Sequence, residues 1–177
     1  MSDHPVLLSD VLARRPLVFL GIGSELRGDD AWAKGLIEAV QDLNDPQILA
    51  FWGGTAPESL LAPIARAHPA QALLCDAGLI PGPAGSYALA PPEEAVEGFA
   101  FGHRLPLSFL ADQIHRRTGA VVHLLLMRPE SLELQESLSP AVETGLRQLL
   151  CELRQALQST TQPTGTRLVL DGSPFPR

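Results

Sequence analysis

Three stretches of this chain are almost unbroken apolar runs: PLVFLGI (16–22), ALLCDAG (72–78) and VVHLLLM (121–127). Each has the length of a buried strand and is too short for a buried helix. A strand that is apolar on both faces has to be covered on both faces. Parallel sheets sandwiched between helices meet that requirement. QILAFWG (47–53) reads as a further strand. SYALA, inside the Gly- and Pro-rich 81–92, reads as a short edge strand.

Helix-patterned segments separate these runs. One starts near Asp29 and continues into AWAKGLIEAVQDL, with Leu36, Ile37 and Val40 on one face. A second is expected after Thr55, with Thr55 as N-cap, Pro57 in the first turn, Glu58 completing a T-x-x-E box, and Pro63 shortening or bending it. A third covers PLSFLADQIHRRTG, with basic residues in its last turn and Gly119 as its stop. The last opens at Ser139 and Pro140 and runs to about Leu157. Strands alternating with helices define an α/β fold with a mostly parallel sheet between helix layers. We expect one domain over 1–158 and a polar, mobile tail over 159–177. In such folds ligands bind beyond the carboxyl ends of the strands. That rule selects the loops starting near Gly23, Gly53, Asp76 and Met127.

The first of these loops, GSELRGDD (23–30), has the spacing of a phosphate-binding G-x-x-x-x-G-K-[ST] loop, but two aspartates stand where Lys and a hydroxyl belong. Phosphate would meet like charge, at a cost of about 4 kcal/mol per close pair at intermediate dielectric. A dinucleotide fingerprint fails too: it needs glycine at 26, which is Leu26, and an acidic residue after QILAFWGG, which has none. A cation is the better complement. The bland role for Asp29 and Asp30 is helix capping, which explains one aspartate better than two. Asp76 ends an apolar strand, where an unpaired carboxylate is costly. It is read either as bonded to a neighbouring loop or as a ligand or catalytic group. His103, in FGHRLPL before a helix, is read as a capping or surface residue or as a ligand. His4, His68, His115 and His123 are weaker candidates. Together Asp30, Asp76 and His103 make a two-carboxylate, one-imidazole set suited to nickel or zinc.

The net charge of -7 argues against nucleic-acid binding, which needs clustered Lys and Arg. No run is long enough to span a membrane, and MSDHPVLLSD does not read as a signal peptide. The expectation is a soluble, cytoplasmic protein. Cys75 and Cys151 are read as small core residues, in preference to a disulfide. There is no G-x-S-x-G elbow for a serine nucleophile.

Five stretches in order resemble the [NiFe]-hydrogenase maturation endopeptidases, in the branch serving hydrogen-evolving hydrogenases. GIGSELRGDDAWA resembles that family's G-[IV]-G-N-x-L-x-G-D-[DE]-G-x-G opening. WGGTAPESLLAPI resembles its glycine-rich second loop, and LLCDAGLIPGPAGSYAL its D-A-x-x-x-G-x-x-P-G segment. GHRLPLSFLADQI resembles its histidine segment. MRPESLELQESLSPAV resembles its G-[IV]-Q-P segment and the helix start that follows. The resemblance implies a twisted five-stranded sheet, and metal contact through Asp30, Asp76 and His103. For hydrolysis by water, Asp30 or Asp76 is the expected catalytic base. The implied substrate is a nickel-loaded large-subunit precursor that loses a C-terminal extension. Nickel is carried by that substrate, with zinc or cadmium as surrogates. The alternative is a nickel-site chaperone that binds the precursor without cutting it. Departures from the pattern are Ser24 for Asn, Ala31 for Gly, Gly102 for Thr, Arg128 for Gln and Leu79 for a second aspartate.

Overall fold

The structure is a computed structural model that describes residues 7–94 and 106–161. Its elements are α1 (Leu8–Ala13), β1 (Leu17–Ile22), α2 (Trp32–Gln41), β2 (Ile48–Gly54), α3 (Leu61–Arg66), β3 (Gln71–Ala77), β4 (Tyr87–Ala90), α4 (Leu107–Thr118), β5 (Val121–Met127) and α5 (Pro140–Thr161). Short 3-10 turns precede α2 (Gly28–Ala31) and α3 (Pro57–Leu60), and a third spans Pro92–Glu94.

The strands form one sheet in the order β2-β1-β3-β5-β4. β1 pairs with β2 and β3 in parallel, β3 with β5 in parallel, and β4 runs antiparallel along the β5 edge. The twofold alternation of each strand splits the core. Leu17, Phe19, Leu73, Cys75, Leu125 and Met127 meet α2 and α5 on one face. Val18, Leu20, Ile22, Leu74, Leu124 and Leu126 meet α3 and α4 on the other. Every residue of β1 and β3 is buried, as their apolar runs require.

Several helix ends differ from expectation: α2 starts at Trp32, after a 3-10 turn over Gly28–Ala31, and α5 runs past Leu157 to Thr161. Thr55 does not cap α3. β2 continues to Gly54, so the 3-10 turn begins at Pro57 with Ala56 at the N-cap and no side-chain cap bond. Pro63 then falls in the first turn of α3, where its missing N–H costs nothing. α4 ends as expected, on Gly119 in the left-handed region. α1, which the sequence patterning did not isolate, packs against α5. Cys75 is buried and Cys151 is exposed, both free. Cys151 is not a core residue because Leu146, Leu149 and Leu153 supply the inward stripe of α5. No helix among the described residues is long and apolar enough to cross a membrane.

Candidate active site

From β1 the chain goes to β2 on one side, and β3 lies on the other, so the topological switch point is between β1 and β3. Crevices form at such points, where the loops leaving two adjacent strands diverge. Here the loop after β1 carries Asp29 and Asp30, and Asp76 is the penultimate residue of β3. The turn holding both loop aspartates packs against β3. All three carboxylates are buried, and they are the only buried acidic residues among those described.

Asp30 shapes its own loop. Its Oδ2 accepts the Ser24 backbone N–H at 2.7 Å. Gly23, at φ 140°, lies against the Asp30 backbone carbonyl, so any Cβ there would collide with backbone. The loop therefore needs glycine at 23, while the Ser24 side chain is not what Asp30 holds. Replacing the family's Asn by Ser24 leaves that bond in place. Glu25 braces the outside of the loop, accepting from Trp52 Nε1 at 3.0 Å and pairing with Lys34 at 2.6 Å. The Lys34 contact, helped by Trp52, holds its carboxyl below the usual range.

Asp29 does different work. Its Oδ1 accepts the Ser139 backbone N–H at 2.6 Å. Its Oδ2 accepts Glu130 N–H at 2.8 Å, Ser131 N–H at 3.2 Å and the Ser139 hydroxyl at 2.9 Å. It does not cap its own helix. It clamps the distant loop 128–139 onto the first loop. Gly28 completes the clamp: its N–H donates to Gln135 O at 2.9 Å, and Gln135 N–H donates to Leu26 O at 3.2 Å. A Cβ on Gly28 would strike the Gln135 side chain.

Asp76 Oδ1 accepts the Ala77 N–H at 2.8 Å. By alternation with Leu74 it continues the face covered by α3 and α4. Cys75, beside it, points to the opposite core. Burial first, and then the Asp76 charge, push the Cys75 thiol far above its ordinary range. Such a thiol is not a nucleophile at neutral pH. Arg128, the residue standing for the family's Gln, donates to Ile80 O at 2.5 Å and so ties the end of β5 to the loop after Asp76.

Asp30 and Asp76 are thus brought to one edge. His103 lies outside the described residues. Among the described residues no three of His, Cys, Asp and Glu are grouped to hold a metal ion. The sequence reading missed the roles of Ser139 and Arg128, and no local signal announces them, because their partners are far away in the chain.

No protein-family model matches the chain. The hydrogenase 3 maturation protease of Escherichia coli K12 is 31% identical to it over 111 residues, which are 60% of this chain and 69% of that protein. The chain belongs to the hydrogenase maturation proteases. A putative hydrogenase maturation protease of Methanocaldococcus jannaschii is 24% identical over 136 residues, 72% of this chain and 80% of that one. The crystal structure of the [NiFe] hydrogenase maturation protease HycI from Thermococcus kodakarensis KOD1 superimposes with a TM-score of 0.77 at 29% identity, over 86% of this chain and 99% of that chain. This maturation protease shares their single-domain α/β fold. The hydrogen-evolving branch suggested by its motifs is consistent with these matches.

Proposed function

We propose that this maturation protease removes the C-terminal extension of a nickel-loaded [NiFe]-hydrogenase large-subunit precursor. In this reading Asp30, Asp76 and His103 recognise nickel held by the substrate. The observation that carries it is the pair of buried carboxylates at the β1/β3 switch point, Asp30 on the loop after β1 and Asp76 near the end of β3. Pro106 is the first described residue after His103 in the sequence. α4 is joined to the first residue of β5 through Gly119 and Ala120, and it packs on the sheet. It therefore runs back along the strands, and its N-cap, Pro106, lies towards the carboxyl edge. His103 precedes Pro106 by only three residues.

Water is the nucleophile in this mechanism, since Cys75 is buried as a thiol and Cys151 is exposed on α5. Substrate-held nickel polarises the scissile carbonyl or lowers the pKa of a water. Asp30 or Asp76 takes the proton. Nickel, bound by three protein groups of mixed hardness, completes its shell with ligands from the precursor. Free nickel then binds modestly, and the ion inside the precursor reports that insertion is complete. The test offers nickel-loaded and nickel-free precursor at matched concentration and follows the size of the large subunit. Shortening of the loaded form alone is expected. Binding without shortening would establish the chaperone alternative, and equal cleavage of both forms would remove the nickel checkpoint.

A further inference from the structure

Two of the most exposed apolar side chains in the described protein are Leu26, at 73% exposure, and Leu134, at 78%. Single exposed leucines are ordinary. These two are not scattered. Arg27 and Gln135 form a parallel bridge, and Leu26 and Leu134 are the residues immediately before them. The bridge therefore places the two leucines on adjoining segments. Nor are they on slack loops. Asp29, buried and accepting four bonds, fixes loop 128–139, while Gly28 and Gln135 lock it to loop 23–28. Asp29 thus ties together the two loops that carry the leucines, and one of those loops also carries Asp30.

We infer that Leu26 and Leu134 form the docking contact for the precursor, and that Asp29 is the positioning residue that holds them there. The inference rests on the functional reading above. Leu26 lies on the same loop as Asp30 of the candidate site. Exposed Glu133 and Glu136 rim it, in a chain of net charge -7. An apolar centre with a charged rim is the anatomy of a protein interface. The matching partner surface on the precursor is apolar side chains flanked by basic ones.

The test compares the full-length wild type with Leu26→Ser/Leu134→Ser and with Leu26→Met/Leu134→Met, using nickel-loaded precursor from the same organism. The serine pair should raise KM roughly 10-fold to 100-fold with kcat nearly unchanged, as for loss of central interface anchors. Cadmium affinity and the urea midpoint should not move. The methionine pair should restore KM. Glu133→Lys with Glu136→Lys should raise KM at low salt and lose that effect at high salt; no change would remove the basic neighbours from the proposal. A serine pair with wild-type KM, or with lowered kcat alone, overturns the docking assignment. If the wild type binds the precursor without cutting it, the protease reading fails, and the same variants are judged by Kd. A wild type that neither binds nor cuts overturns both.

Discussion

The two edges of the sheet are built on different terms. Towards the amino edge, a groove of about 460 Å³ runs along α4 to the start of β5, bordered by Glu93, Asp112, His115 and His123. Two of its polar groups find partners nearby. His115 Nδ1 lies 2.9 Å from Ala120 O, and Asp112 pairs with Arg116 one turn along, in solvent. At the carboxyl edge there are three buried carboxylates, and those of Asp29 find partners 101 to 110 residues away. Physical cost favours the second edge, because a buried carboxylate destabilises a fold unless hydrogen bonds or a cation offset its desolvation. The comparison teaches that the volume of an opening says less about chemistry than where charge is buried.

The sharpest way to break this contrast is to neutralise one carboxylate at each edge. Asp76→Asn keeps its shape and should lower cadmium or zinc affinity by more than the ~10-fold to 100-fold typical of groups that only orient a ligand. Processing of the nickel-loaded precursor should fall at least as far. His115→Gln, in the groove, should leave both unchanged. If the groove variant abolishes processing and Asp76→Asn does not, the chemistry has been assigned to the wrong edge.

Stability should divide the edges next. Asp29→Ala leaves three backbone donors and a hydroxyl without their acceptor, which predicts a loss of about 3–5 kcal/mol in urea unfolding. Asp112→Ala removes an exposed i,i+4 pair and should change stability by less than about 0.5 kcal/mol. Similar losses for both would mean that the clamp is not what fixes loop 128–139.

A smaller effect separates the cysteines. Native protein should be alkylated at exposed Cys151 and spared at Cys75, whose raised thiol pKa and burial protect it twice. Cys151→Ser should process precursor normally, as a water mechanism requires. Inactivation by that change would bring back a thiol nucleophile.

The smallest effect lies at the amino edge. Burial, and then Arg14, lower the His123 pKa from its ordinary value of 6.5. Below pH 6.5 the unfolded chain takes up a proton that the folded one resists, so the folded state loses stability as pH falls through that region. The thermal midpoint should decline slightly on acidification. His123→Asn should flatten the decline, and an unchanged slope would place the responsible group elsewhere.

Much of the architecture was legible because it is local. Unbroken apolar runs specify β1, β3 and β5, since a strand buried on both faces admits little else. Gly119 ends α4 because only a residue without Cβ takes that φ cheaply. SYALA, flanked by Gly and Pro, had to sit at an edge, where missing donors are tolerated. Local rules failed where neighbours in sequence compete. LLCEL does not say which of its residues turns inward, and α5 turned Cys151 outward. Thr55 had the letters of a capping box, yet β2 ran on through the position where capping would begin. α1 is six residues long and is held by packing on α5 rather than by its own pattern.

The sequence by itself determined that two adjacent carboxylates follow β1 and that a third ends β3, because strand endings and loop composition are written in consecutive residues. Only the tertiary structure divided the work of Asp29 and Asp30. One reaches across the fold to Glu130, Ser131 and Ser139, while the other turns to Ser24 in its own loop. Two adjacent residues of a 3-10 turn point about a third of a turn apart. Their chemistry is identical, and so their roles follow from what the rest of the chain brings to each side.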